Sequence, residues 1–262
     1  MTLVKDNEHY AINRGFGTRA FGEMLENALA REDKESQKTS FAPSNLGYSG
    51  SCPRYWYYAF NGVTFTYKRD ALGVANMEAG SDSGRRLAGV LEKAGILIDS
   101  EVEVRHEDPP IGGFIDAIVR WKDADVIVEV KTTKTETWQA RAMHNTVPGY
   151  QLIQLLIYMY IMNNDRGFFL TENKNTNEIF ILPIRMTDEY KKLVEDVFDW
   201  MRKVKDNADN GELPTRPFNK SSMQCKGCLA RATCWKGWTR GSVNGTDPNP
   251  GTVTLPVLEL PR

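Results

Sequence analysis

The chain has 262 residues, with 33 Lys and Arg against 34 Asp and Glu, so it is close to neutral and no global basic field marks it as a polyanion binder. Apolar residues make up 41% and there are only four cysteines, which suits one large packed domain with appendages and excludes a disulfide-stapled scaffold. MTLVKDNEHY lacks the apolar core of a signal peptide, and the run Leu152 to Met162 falls short of the about 20 residues that span a bilayer, so the expectation is a cytoplasmic protein without membrane contact.

In chain order, residues 15–34 have a helical pattern and residues 35–51, rich in Ser, Gly and Pro, read as a loop. The aromatic stretch CPRYWYYAFNG predicts a helix over 52–62, and a second helical pattern covers 68–95, ending at Gly95 as C-cap. From 100 to 134 the apolar period changes to two, through EVEVRH, GGFIDAIVRW and DVIVEVKTT, which predicts a strand meander. PGYQLIQLLIYMYIMN predicts a helix with Pro near its start, GFFLTEN and EIFILPIRM two further strands, and residues 187–207 a helix capped by Thr187. A cysteine-bearing segment and a Pro/Gly/Thr tail close the chain. The expected organisation is therefore an N-terminal helical segment over 1–67, an α/β core over 68–207, a cysteine segment over 208–240 and a flexible tail over 241–262.

Within VIVEVKTTK, strand alternation puts Ile127, Glu129 and Lys131 on one face and Val126, Val128 and Val130 on the other. In IGGFIDAIV, Phe114, Asp116 and Ile118 share a face. If the two strands form a hairpin turning at Lys122–Asp123, Asp116 stands opposite Glu129. Two facing carboxylates repel unless a cation lies between them, and Mg²⁺ favours one or two carboxylates with waters and phosphate oxygens. Lys131 is placed to orient or deprotonate an attacking water and to offset phosphate charge. The group thus reads as a metal site for cutting a phosphodiester bond. The alternative is a Glu–Lys pair on a solvated strand face.

GGFIDAIV followed by VIVEVKTT closely resembles the PD-(D/E)XK nuclease superfamily, in particular its RecB-like branch. The resemblance implies a restriction-endonuclease-like fold, a mixed sheet flanked by helices, and Mg²⁺- or Mn²⁺-dependent DNA cleavage. By position it makes Asp116, Glu129 and the main-chain carbonyl of Val130 metal ligands, and Lys131 the catalytic lysine. The branch carries a Gln-x-x-x-Tyr motif after this strand, which Gln154 and Tyr158 match; Gln151 lies on the same polar stripe but outside the motif. The branch also carries a histidine in the preceding helix, and here Gly84 occupies that position. Water fills the place, Glu78 substitutes as an oxygen donor, or the chain is a catalytically weak or silent DNA-binding module with a structural iron–sulfur cluster.

CKGCLARATCW presents Cys225, Cys228 and Cys234, and the fourth cysteine, Cys52, lies far upstream. Four soft ligands suit zinc or a [4Fe–4S] cluster. The one-plus-three split, and the SxCPRxWYY surroundings of Cys52, resemble the iron–sulfur nucleases of the RecB-like branch, among them the CRISPR-associated RecB-like nucleases and the AddB subunits of recombination helicase–nucleases. That resemblance implies a structural [4Fe–4S] cluster in a helical subdomain built from both ends of the chain. It also implies DNA as substrate and recombination, CRISPR or phage replication proteins as partners. Lys174, Arg85 and Arg86 are candidate DNA contacts, as is the basic run Lys220, Lys226, Arg231, Lys236 and Arg240, against the plain alternative of solvated charges. Tyr55, Trp56, Tyr57 and Tyr58 either stack on unpaired bases or, as expected for most of them, pack around Cys52.

Overall fold

The computed structural model describes residues 18–236 and 258–260. Arg240 and most of the tail lie outside the described residues. A five-stranded sheet in the order β3-β4-β5-β6-β7 forms the centre. Its strands are β3 (Leu97–His106), β4 (Ile111–Trp121), β5 (Ala124–Thr133), β6 (Arg166–Asn173) and β7 (Ile179–Arg185). Only β5 and β6 run parallel, and the chain between them supplies α4 (Thr135–His144) and α5 (Gly149–Ile161). A parallel pair needs such a crossover, whereas β4 and β5 need only the two-residue turn at Lys122 and Asp123. Lys122 has φ +56°, as a tight hairpin turn requires.

One sheet face packs on α3 (Ala71–Lys93) through Leu87, Ala117, Val119, Val126, Val128 and Leu170. The other meets a larger core from α2 (Pro53–Phe60), α5 and α6 (Asp188–Asp209). Helix α3 starts where the Asp70 carboxylate accepts the Gly73 N–H at 2.7 Å, and it stops before Gly95 at φ +70°. Thr187 caps α6 by accepting the Tyr190 N–H at 3.2 Å. No helix among the described residues is long and apolar enough to cross a membrane.

Three segments differ from the sequence reading. Residues 35–51 are not all loop: β1 (Lys34–Ser36) pairs with β2 (Phe65–Tyr67). Helix α4 stands in a stretch with no clear apolar period, held by the Trp138 indole N–H on the Thr171 carbonyl at 3.0 Å. The tail is not loose throughout, because Leu258 is buried in the main core and its N–H donates to the Ser51 carbonyl at 2.9 Å.

The clustered helices α7 (Met223–Lys226) and α8 (Arg231–Cys234) lie against the segment before α2. Two polar anchors fix this placement. The Arg54 guanidinium donates to the Pro214 carbonyl at 2.7 Å, and the Ser49 hydroxyl donates to the Gln224 carbonyl at 2.7 Å. Trp56 is fully buried and Tyr55 nearly so, with the Trp56 indole N–H on the Gly50 carbonyl at 2.7 Å. These rings are core.

Candidate active site

The hairpin has the register the sequence suggests as far as Ala117–Val128, and there the backbone ladder stops. Beyond it the strands part, and the Val130 N–H donates to the Asp116 carboxylate at 2.7 Å. A buried N–H must find an acceptor, so Asp116 stands in for the lost β4 carbonyl. The opening strands form the wall of a cleft of about 870 Å³, which lies between α3 and the sheet.

The strict alternation expected for β4 fails at this same point. Ile115 joins the core on the α5 side, Ala117 the core on the α3 side, and Phe114 is exposed. Phe114, Asp116 and Ile118 therefore do not form one regular face. The cause is on β3: Ser100 pairs with Ala117 and Val102 with Ile115, and Glu101 between them has φ +52°. A left-handed residue twists the ribbon locally and re-aims its neighbours. Glu101 lines the cleft with Asp116, Val130 and Lys131. It is a third carboxylate that the sequence reading missed. Its only sequence signal is a charged residue opposite Asp116, on a strand whose charges otherwise look like a solvated edge.

Glu129 is 1% exposed. One of its carboxylate oxygens, Oε1, accepts from the Gln154 amide at 2.7 Å and from the Lys131 ammonium. The other, Oε2, is buried and has no partner among the described residues. Burial pushes the Glu129 carboxyl up to about 7, with Lys131 pulling it down and Asp116 pushing it further up. Burial also raises Asp116, opposed by Lys131 and the Val130 N–H and reinforced by Glu101. Removing two carboxylates from water without full compensation is costly. An orphaned buried carboxylate oxygen, with the Asp116 carboxylate near it, has the oxygen chemistry that a hard divalent cation prefers. No three metal-ligating side chains among the described residues are gathered as a closed set, so such a cation would recruit carbonyl and water oxygens.

Tyr158 is buried on α5 one turn beyond Gln154, and burial together with Glu129 holds its phenol well above the usual range. It leaves no room at Gly113, where an added Cβ would stand 2.4 Å from the Tyr158 hydroxyl oxygen. GGFID therefore needs its second glycine for close approach. Gln151 is buried on the same helix with Oε1 unpartnered, and it does not touch Glu129.

The remaining candidates separate. Gly84 lines the cleft, and nothing lies within 4 Å of where its Cβ would be, so the histidine place is open space. Glu78 does not line the cleft; its exposed side chain accepts from Arg31 at 2.6 Å, on another side of α3. Arg85 lines the cleft and pairs with Asp82. Arg86 turns away from it and pairs with Glu172 of β6, whose side chain is only 2% exposed, so it ties α3 to the sheet. Lys174 follows β6 in an exposed turn, off the cleft wall, with its backbone N–H on the Thr133 carbonyl at 2.8 Å.

Cys52, Cys225, Cys228 and Cys234 line one small cavity together with Tyr58 and Trp235. All four are free thiols. Burial pushes Cys52 up to about 12 and Cys228 up to about 11, and the neighbouring sulfurs raise both further. The four thiols share this cavity without being gathered, among the described residues, into a group that could hold a metal ion.

The profile of the PD-(D/E)XK nuclease superfamily matches residues 76–235. The chain belongs to this superfamily. That span contains the open cleft, the parted hairpin, Gln154, Tyr158 and three of the four cysteines. Among solved structures, an alkaline exonuclease from Laribacter hongkongensis is similar at a TM-score of 0.51 and 12% identity, over 72% of this chain and 95% of that one. A structure described as SSO0001 is similar at a TM-score of 0.46 and 16% identity, over 83% and 95%. The superfamily match, with the likeness to the alkaline exonuclease, supports the mixed, helix-flanked sheet of a restriction-endonuclease-like fold. No curated protein matches the sequence.

Proposed function

We propose that this superfamily member is a Mg²⁺- or Mn²⁺-dependent deoxyribonuclease of the RecB-like iron–sulfur branch, acting as an exonuclease on single strands or DNA ends. The observation that carries the reading is Glu129: a buried carboxylate with Lys131 and Gln154 on one oxygen and nothing on the other. A structural ion pair would have no reason to keep that oxygen unsatisfied beside Asp116.

Asp116, Glu129 and the Val130 carbonyl are the metal ligands in this reading. Glu101 takes the place of the missing helical histidine as a further oxygen donor; Glu78, tied to Arg31, does not. The bound cation supplies Lewis-acid activation of the phosphate and of a water. The chain's own groups do the rest. Gln154 holds Glu129 Oε1, which would leave Oε2 free to hold a cation. Lys131 offsets charge on the phosphate and orients the attacking water from the same edge. Gly84 and its neighbours on α3 leave the cleft open to a strand of DNA. Arg85 is its nearest basic candidate for a phosphate contact, whereas Arg86 is occupied by Glu172 and Lys174 lies off the wall.

The four cysteines hold a [4Fe–4S] cluster, with zinc as the alternative metal, and the cluster clamps 1–67 and 208–240 beside the nuclease core. Such a protein works in a reducing cytoplasm, in recombination, CRISPR or phage DNA processing.

Calorimetric titration with Mn²⁺ beside a cleavage assay tests the assignment. Lys131→Ala keeps Mn²⁺ affinity within a few-fold and loses cleavage by about a hundredfold or more. Asp116→Asn loses both, and Glu101→Gln weakens Mn²⁺ binding by about tenfold. Cleavage by Lys131→Ala at the wild-type rate would overturn the assignment.

A further inference from the structure

A second cavity, about 220 Å³, opens where the loop before α2 meets the start of α5 and the turn between Cys225 and Cys228. Its wall is aromatic. Tyr48 and Tyr150 have ring centroids 5.6 Å apart and planes diverging by 52°, and Tyr55 and Tyr67 stand behind them. Tyr48 is unusual twice over: it is 56% exposed and its φ is +49°. A bulky side chain in the left-handed region is an outlier, and such strain gathers at ligand-holding sites. Folding alone gains little from a strained residue whose ring stays in water.

The neighbours add polarity suited to a nucleotide. Asn45 and Ser44 line the cavity, and neither side chain makes a hydrogen bond among the described residues. Arg141 is 7% exposed, close enough to Tyr150 to interact with it electrostatically, and its Nη1 has no partner among the described residues. Arg141 does not line the cavity, but its positive charge lies near Tyr150, where its field attracts an anion. Gly47 packs onto Tyr150 so closely that a Cβ there would stand 2.8 Å from the ring, which fixes the loop against α5.

The cavity also sits in a telling place. Tyr150, Gln154 and Tyr158 are spaced four apart on α5, so Tyr150 is one turn, about 6 Å, from the amide that holds Glu129. On the other side, Gly227 and Leu229, from the cysteine segment, complete the wall.

We infer that this tyrosine-walled cavity is a binding site for one unpaired nucleobase of the DNA strand being cut. The base stacks on Tyr48 and Tyr150, Asn45 hydrogen-bonds its edge, and Arg141 draws the adjoining phosphate. The inference rests on the nuclease reading and narrows it, because a site for an unpaired base selects frayed or single-stranded ends over intact duplex. It also gives the cysteine clamp a part in substrate binding, since the clamp positions one wall.

The test is equilibrium binding of a fluorescent single-stranded oligonucleotide and of a blunt duplex, with metal chelated so that nothing is cut. A 2-aminopurine probe in the single strand reports stacking. The main variant is Tyr48→Gly, which removes the ring and suits the backbone, and Tyr150→Leu keeps apolar volume beside Gly47. The expected result for Tyr48→Gly is a melting temperature equal to or above wild type. Its single-strand affinity falls about five- to a hundredfold, the 2-aminopurine quenching is lost and duplex affinity holds. Unchanged single-strand affinity in both folded variants, or a wild type that binds no single strand, overturns the inference. Cleavage assays of the same proteins with Mn²⁺ keep the two readings apart. Loss of base binding in a protein that cuts no DNA would sink the nuclease and leave the base site standing, whereas full cutting with unaffected binding would do the reverse.

Discussion

Gly113 and Glu129 show how much of the site rests on single atoms. An added methyl at Gly113 collides with the Tyr158 hydroxyl at 2.4 Å, and overpacking of this kind costs about 1–3 kcal/mol. Gly113→Ala is expected to fold with that loss, to bind Mn²⁺ almost normally, and to cut DNA at least about tenfold more slowly as Tyr158 shifts; denaturant unfolding and turnover measured together check it. Glu129 makes the metal-free protein pH-sensitive. Its folded value of about 7 lies above the ordinary 4.5, so the folded state holds the extra proton between those values. Stability from this group is full below about pH 4.5 and is lost as the pH rises through about 7, a difference of about 3 kcal/mol. Glu129→Gln should remove that slope in chelator, and saturating Mn²⁺ should remove it in the wild type. A wild type in chelator that is as stable at pH 8 as at pH 5, relative to Glu129→Gln, would contradict the burial that raises the Glu129 carboxyl. Asp116, Glu129 and Lys131 were legible in the sequence because each sits at a fixed offset from a two-residue turn. Glu101 was not, because its role depends on a left-handed backbone angle that no side-chain pattern announces.

At the level of elements, β4, β5 and the span of α3 are readable, and the facing of α3 is not. A tight hairpin sets its own register, so alternation and a turn position suffice until the ladder ends at Ala117–Val128. The face assignment then fails, since the twist at Glu101 originates on the neighbouring strand. Helix α3 is amphipathic in outline, but which of its charges meets the sheet depends on how it rolls across β4 to β6. That roll points Glu78 at Arg31 and Arg86 at Glu172, and leaves Gly84 and Arg85 to the cleft. The pairing with Glu172 predicts that Arg86 contributes to stability more than to DNA affinity. Arg86→Ala strands a carboxylate that is 2% exposed, at a cost on the order of 2 kcal/mol, less than a fully buried pair because the arginine itself is half exposed. Chemical denaturation should register that loss, while the affinity of the folded variant for DNA stays near wild type; a large affinity loss without destabilisation would return Arg86 to the DNA surface.

Across the described residues, the segment around Cys52 and the segment from Pro214 to Trp235 meet beside the core. The four thiols converge in one cavity, Arg54 reaches the Pro214 carbonyl, and Leu258 docks on Ser51. The sequence offered this convergence only as a one-plus-three cysteine count and a resemblance to iron–sulfur nucleases; the docking of Leu258 had no signal at all. Because burial raises Cys52 and Cys228 far above neutrality, loading a metal there must expel protons. Metal uptake should therefore release protons and weaken as the pH falls, and Cys228→Ser should lower the melting temperature of loaded protein but not of stripped protein. Proton release followed by pH-indicator absorbance, with a brown cluster or colourless zinc as the visible outcome, checks this. The central claim, that the parted hairpin is a hydrolytic centre, is tested most directly by end-labelled single- and double-stranded DNA incubated with anaerobically purified protein and Mn²⁺, beside Lys131→Ala. The account predicts shortening from the ends that is faster on single strands and absent in the variant. Intact DNA with metal-loaded wild type, or equal cutting by both proteins, would contradict it.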